Sequence, residues 1–272
     1  MKVKILGVSG SPRHGNTDIL VKEALEGAKE IPNVETEFIS LAGKRIDPCT
    51  SCYKCIERDP DSPCQNVNDD FGKVWPSVLA ADGIIFGSPV YYGGMTAQLA
   101  ALRDRLVCLE INGEMGQYNL RNKVVGAIAS GQGVFGGQEK VFQQIYDWVM
   151  TQDMIPVGPA KATEKLGIVE TGSILGGGHS QTTSAEEAAL RKGVKGRMVP
   201  RLMTELKAYG SKEEMTIAKI DRLALRGARN VGVRVAEVAK MVKFGFNSLP
   251  KEELAWPPGV KIRRPIYEDY RP

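Results

Sequence analysis

Short apolar runs at residues 3–8, 83–86 and 124–129, with an alternating run at 34–39, are separated by stretches of helical periodicity. No other feature of the chain limits its fold as strongly. A strand that is apolar on both faces must be covered on both faces, and parallel strands need a crossover, usually a helix, to join them. The intervening stretches supply such helices. Val21, Ala24, Leu25 and Ala28 share one face, as do Met95, Leu99, Leu102, Leu106 and Leu109. Val141, Ile145 and Trp148 form a third stripe, and Ala224, Ala228, Val231, Val235, Val238 and Val242 a fourth on a closing helix. A fifth strand is expected at 167–170. The pattern predicts an α/β architecture, a doubly wound five-stranded parallel sheet.

With 272 residues and ~150 per domain, two domains are allowed, but one is expected. Residues 1–242 form the sheet domain, with a cysteine loop at 47–70 and an insertion at about 172–220 before the last helix. The insertion contains Gly176-Gly177-Gly178, and a helix in it breaks near Pro200. Residues 243–272 carry Trp256, Pro257, Pro258, Pro265 and Tyr267 and read as an extended C-terminal arm. Such an arm needs a surface, and a homo-oligomer, dimer or tetramer, is expected to supply it. The net charge of +4, without a Lys/Arg tract, argues against nucleic acid as a partner. No apolar stretch approaches the ~18 residues of a membrane span, and no signal peptide is evident. A cytoplasmic location is therefore expected, where disulfides are disfavoured.

Glycine is over-represented, 30 of 272 against a usual share of ~7%, and much of the excess follows the apolar runs. Ligands of doubly wound sheets sit at the carboxyl ends of the strands. The first such loop, Ser9-Gly10-Ser11-Pro12-Arg13-His14-Gly15-Asn16-Thr17, offers hydroxyls, a guanidinium and amides at a helix start. That chemistry suits a phosphate monoester, although a polar capping loop with Asn16 or Thr17 as N-cap has the same composition. It is neither a Walker loop nor a dinucleotide fingerprint. The middle loop, Ser88-Pro89-Val90-Tyr91-Tyr92-Gly93-Gly94, offers a flat apolar surface for a planar heterocycle, or else two tyrosines that pack a helix onto the sheet. Gly131-Gln132-Gly133-Val134-Phe135-Gly136 has the Gly-x-Gly-x-x-Gly spacing, but after the fourth strand, where it reads as a second ligand wall or a tight turn.

Four of the five cysteines, Cys49, Cys52, Cys55 and Cys64, crowd into sixteen residues. Thiolates at this spacing reach different irons of one cubane. Bare thiols and a four-sulfur zinc site are the other readings. Cys64 follows Cys55 after an eight-residue gap, and Cys108 on the apolar helix reads as a core thiol. His14 lies in the first loop, and His179 reads as a loop residue of the insertion.

Ser9 to Arg13 with Asn16-Thr17, then Ser88-Pro89-Val90-Tyr91-Tyr92-Gly93 leading into Leu102-Arg103-Asp104-Arg105, resembles the NADPH-dependent FMN reductases of the flavodoxin-like fold. The resemblance runs over about 1–160 and resumes at Gly227-Ala228-Arg229-Asn230-Val231-Gly232-Val233-Arg234. It implies that Ser9, Ser11, Arg13, Asn16 and Thr17 hold the FMN phosphate. Pro89, Val90, Tyr91, Tyr92 and Gly93 would line the isoalloxazine, and Ser130, Gly131, Gly136 and Gly137 would complete its edge. The cysteines, with Asp69-Asp70-Phe71, resemble the iron–sulfur flavoproteins within that family. This implies a [4Fe–4S] cluster on Cys49, Cys52, Cys55 and Cys64. The expected activity is electron transfer between a donor, NAD(P)H or ferredoxin, and a small-molecule acceptor, with flavin-borne chemistry and no catalytic side chain. A cluster-free NAD(P)H-dependent FMN or quinone reductase and a non-catalytic electron shuttle are the alternatives.

Overall fold

A computed structural model describes residues 2–57, 63–111, 119–131, 137–159, 179–180 and 222–249. The strands are β1 (Val3–Ser9), β2 (Val34–Ser40), β3 (Gly83–Pro89), β4 (Val124–Ser130), β5 (Ile155–Pro156) and β6 (His179–Ser180). The helices are α1 (Asn16–Ala28), α2 (Trp75–Ala80), α3 (Ala97–Arg105), α4 (Gln138–Thr151) and α5 (Arg222–Ser248). All strand pairs are parallel, in the order β2-β1-β3-β4-β5, with β6 also on β4. This is the flavodoxin-like winding, whose direction reverses between β1 and β3.

β1, β3 and β4 are almost entirely buried. Alternate residues feed two cores. Leu6, Val8, Ile84, Phe86, Val125 and Ala127 meet α2, α3 and α4, where Phe86 stacks 4.7 Å from Trp148. Val3, Ile5, Ile85, Val124 and Ile128 meet α1 and α5. Gly27 and Gly232 let those two helices touch backbone to backbone, since a Cβ at Gly232 would stand 1.6 Å from the Ala24 carbonyl oxygen.

Several sequence expectations change. The fifth position beside β4 begins with Ile155–Pro156, directly after α4, whereas 167–170 lie outside the described residues. The same edge is resumed by β6, which pairs His179 with Ala129 and Ser180 with Ser130. Of the expected insertion at 172–220, only His179 and Ser180 are among the described residues. α3 starts after Thr96, whose Oγ1 accepts from Leu99 N at 3.3 Å. Met95 thus precedes the helix, and Leu106–Leu109 continue it as a 3₁₀ turn. α5 runs through Ser248, past the expected start of the arm at Lys243; residues 250–272 lie outside the description. Among the described residues no helix is long and apolar enough to cross a membrane.

Candidate functional site

The loops after β1, β3 and β4 converge because their backbones are tied to one another. Gly10 N donates to Gly87 O at 2.7 Å, and Thr96 Oγ1 donates to Gly10 O at 2.6 Å. Thr17 Oγ1 and Ser130 Oγ share a buried hydrogen bond of 2.8 Å, which links the first loop to the third. Val90 N donates to Ser130 O at 2.7 Å, and Gly93 Cα lies 3.0 Å from the place of a Cβ at Gly137. Gly137 sits at φ +102°, a backbone state that favours glycine.

In the first loop Ser9 is fully buried and its Oγ has no hydrogen-bond partner. A buried hydroxyl without a partner is costly, and a phosphate oxygen is the kind of acceptor that would satisfy it. Ser11 Oγ donates to Arg13 O at 2.6 Å and shapes the turn, leaving Arg13 exposed. Gly15 is the N-cap of α1 and no side chain caps it. The alternative of Asn16 or Thr17 as N-cap therefore fails: both lie inside the helix. First-turn amides carry a partial positive charge and suit an anion. Beneath them Asp18 is buried and pairs with His14 Nδ1 at 2.8 Å.

The middle loop closes as a two-residue turn, with Tyr91 N donating to Gly94 O at 2.9 Å and Gly94 N to Tyr91 O at 3.1 Å. Its central residues, Tyr92 and Gly93, have φ of +47° and +80°. Tyr92 is wholly exposed and Tyr91 is 42% exposed. They do not pack a helix onto the sheet. In the third loop Ser130 and Gly131 are described, whereas Gly136 lies outside the described residues. Unpartnered hydroxyl, exposed guanidinium, uncapped helix start and exposed tyrosines together fit a phosphate-bearing planar cofactor.

The cysteine segment leaves β2 and lies against the α2/α3/α4 core, where Cys55 and Cys64 are half-buried. None of the five cysteines is in a disulfide. Cys52 is exposed and accepts from Gln65 Nε2 at 3.2 Å, and Cys49 Sγ accepts from Ser51 N at 3.4 Å. Ser51 and Tyr53, on either side of Cys52, hold φ of +51° and +54°. Such non-glycine conformations cost roughly 1–3 kcal/mol each and gather at functional sites. Burial raises the Cys55 thiol above its ordinary range, and the neighbouring Cys52, Cys64 and Cys49 raise it further. A thiolate at Cys55 is thus disfavoured until a cation offsets it. Among the described residues no three Cys, His, Asp or Glu side chains converge on one point as ligands of a single ion. A cluster does not require that convergence, since each of its thiolates reaches a different iron.

A family model described as NADPH-dependent FMN reductase matches residues 3–165. The chain belongs to the NADPH-dependent FMN reductase family. Within it, an iron–sulfur flavoprotein of Methanocaldococcus jannaschii is 38% identical over 242 residues, covering 89% of this chain and 100% of that protein. An iron–sulfur flavoprotein of Methanosarcina thermophila is 42% identical over 157 residues, 57% of this chain and 78% of the other. The solved structure of RosB with bound 8-demethyl-8-formylriboflavin-5'-phosphate shares the fold, with a TM-score of 0.53 at 15% identity over 89% of this chain and 81% of that one. This FMN reductase relative is accordingly an oxidoreductase and a flavin redox protein that uses FMN.

Proposed function

We propose that the protein carries electrons from a reduced donor, a nicotinamide dinucleotide or a ferredoxin, to a small-molecule acceptor, using FMN and a [4Fe–4S] cluster. The crowding of Cys49, Cys52, Cys55 and Cys64 beside the flavin domain, with strained backbone on both sides of Cys52, carries this reading. When bound, FMN supplies hydride and single-electron exchange and the cluster supplies single-electron exchange.

The chain's own residues bind, orient and shield. Ser9, Ser11, Arg13, Asn16 and Thr17 would hold the phosphate, Ser9 through its unpartnered hydroxyl and Arg13 through its charge. Thr17 acts through Ser130, since their hydroxyls are already bonded. Pro89, Val90, Tyr91, Tyr92 and Gly93 would line the ring, and Ser130, Gly131, Gly136 and Gly137 its edge. Cys49, Cys52, Cys55 and Cys64 would supply the thiolates. Exposed Tyr92 and the apolar end of α5, with Met241, Phe244 and Phe246, support a homo-oligomer that covers them.

Anaerobic purification followed by FMN, iron and sulfide analysis and EPR of the dithionite-reduced protein tests the reading. Four irons and four sulfides per FMN are expected, falling sharply in Cys49→Ser and Cys55→Ser at unchanged FMN. Stoichiometric FMN with neither iron nor sulfide would overturn the cluster and leave a direct NAD(P)H-dependent reductase.

A further inference from the structure

Two charged motifs outside the flavin loops, Asp104-Arg105 at the end of α3 and Asp69-Asp70 after the last cysteine, meet beneath the cysteine segment. The side chains of Arg105 and Asp69 are 2% and 0% exposed and form an ion pair of 2.7 Å. Asp69 Oδ2 also accepts from Asp47 N at 2.9 Å, and its Oδ1 accepts from Phe71 N at 3.1 Å. Arg105 Nη1 donates to Asp47 O at 3.1 Å and Nη2 donates to Asn66 O at 2.8 Å. Its guanidinium lies over the Phe71 ring, 4.4 Å from the centroid. Just outside this knot Arg45 and Asp70 exchange two further bonds, Arg45 N to Asp70 Oδ2 at 2.8 Å and Asp70 N to Arg45 O at 2.7 Å.

A buried ion pair is a poor source of stability, because desolvating both charges offsets their attraction and an apolar pair of equal volume often does as well. What it does provide is geometry. Arginine carries five donors in one rigid plane, and here that plane binds oxygens on both sides of the cysteine segment from a third element, α3. We infer that Arg105 and Asp69 are positioning residues that clasp the two ends of the cysteine segment and preset it to receive and keep a metal cluster. The inference rests on the cluster reading above.

The test uses the full chain carrying Arg105→Met with Asp69→Asn, which removes both charges and so leaves neither buried alone. Arg105→Lys keeps the charge but not the fork. In metal-free, FMN-loaded protein, amide hydrogen exchange over residues 45–70 is expected to accelerate at least tenfold in the double variant, with exchange in β1, β3 and β4 unchanged. After anaerobic reconstitution with iron and sulfide, the double variant retains less than half the wild-type iron at equal FMN, and Arg105→Lys is intermediate. Wild-type exchange over 45–70 overturns the clasp. Faster exchange with full iron retention also overturns it, leaving a purely structural tie. Wild-type protein that takes up no iron sinks the cluster reading instead, a result separable from the exchange measurement.

Discussion

Replacing Gly232 with alanine is the sharpest test of how the flavin loop is held. The new Cβ would stand 1.6 Å from the Ala24 carbonyl oxygen, and real contacts do not close below 3.0 Å, so α1 and α5 must part by about 1.4 Å locally. The obstacle is backbone and cannot rotate away. The interface that would open is apolar on both sides, with Val21, Ala24 and Ala28 facing Ala228, Val231 and Val235. A gap of even 0.5–1 Å forfeits a quarter to a half of each contact's dispersion energy. Overpacking costs ~1–3 kcal/mol and sometimes more, and this case belongs at the top of that range. Alanine regains ~1 kcal/mol of helix propensity over glycine, so the net loss is about 2 kcal/mol or more. At ~2–4 °C per kcal/mol for a domain of this size, Tm falls by roughly 4–8 °C. Because α1 begins in the first loop, FMN affinity falls as well. Circular dichroism melts and flavin fluorescence titration measure both. Gly245→Ala, in open space on the same helix, serves as control and is expected to be neutral or to gain up to ~1 kcal/mol. A Gly232→Ala protein that melts with the wild type and binds FMN equally would refute the argument.

Ser9→Ala removes a buried hydroxyl that has no protein partner, so the flavin-free protein keeps or slightly gains stability, while loss of a bond to a charged group, ~1.5–3 kcal/mol, weakens FMN binding roughly ten- to a hundredfold by titration. Alkylation of metal-free protein, followed by peptide mass mapping, labels exposed Cys52 first. Cys108, 2% exposed and with its thiol pushed far up by burial, reacts only on unfolding; early labelling of Cys108 would contradict its core placement. The Arg45 side chain holds Asp47 below its ordinary 3.8, and the Lys73 side chain does the same for Asp70. Their contribution is complete above 3.8 and is lost as pH falls through the lower folded values. Exchange over 45–70 should therefore accelerate below about pH 4, beyond the intrinsic pH effect, and remain flat from pH 6 to 8.

The core strands were legible because β1, β3 and β4 are apolar on both faces, a pattern a short helix rarely shows. β5 was not, since Ile155–Pro156 is two residues long and includes a residue with no amide hydrogen. It is placed by α4 ending beside the free edge of β4, a tertiary fact, while 167–170 looks more like a strand. The flavin loops could be read from their glycines and hydroxyls. The Thr17–Ser130 bond could not, because the two residues are 113 positions apart. Arg105 left a faint signal. It falls three residues after Leu102 and one before Leu106, on the buried stripe of α3, where an arginine without a partner is not tolerated.

The divided edge of the sheet has a consequence for how far the loss of one edge pairing spreads to the other. β5 pairs with β4 at Val124 and Val125, and β6 pairs with it at Ala129 and Ser130. The two pairings thus lie on one strand, only about 13 Å apart at 3.3 Å per residue. Each pairing is made to a different part of β4. The second pairing ends at Ser130, whose hydroxyl also joins the first loop to the third through Thr17. A change that broke the pairing at Ser130 would therefore leave the pairing at Val124 and Val125 in place.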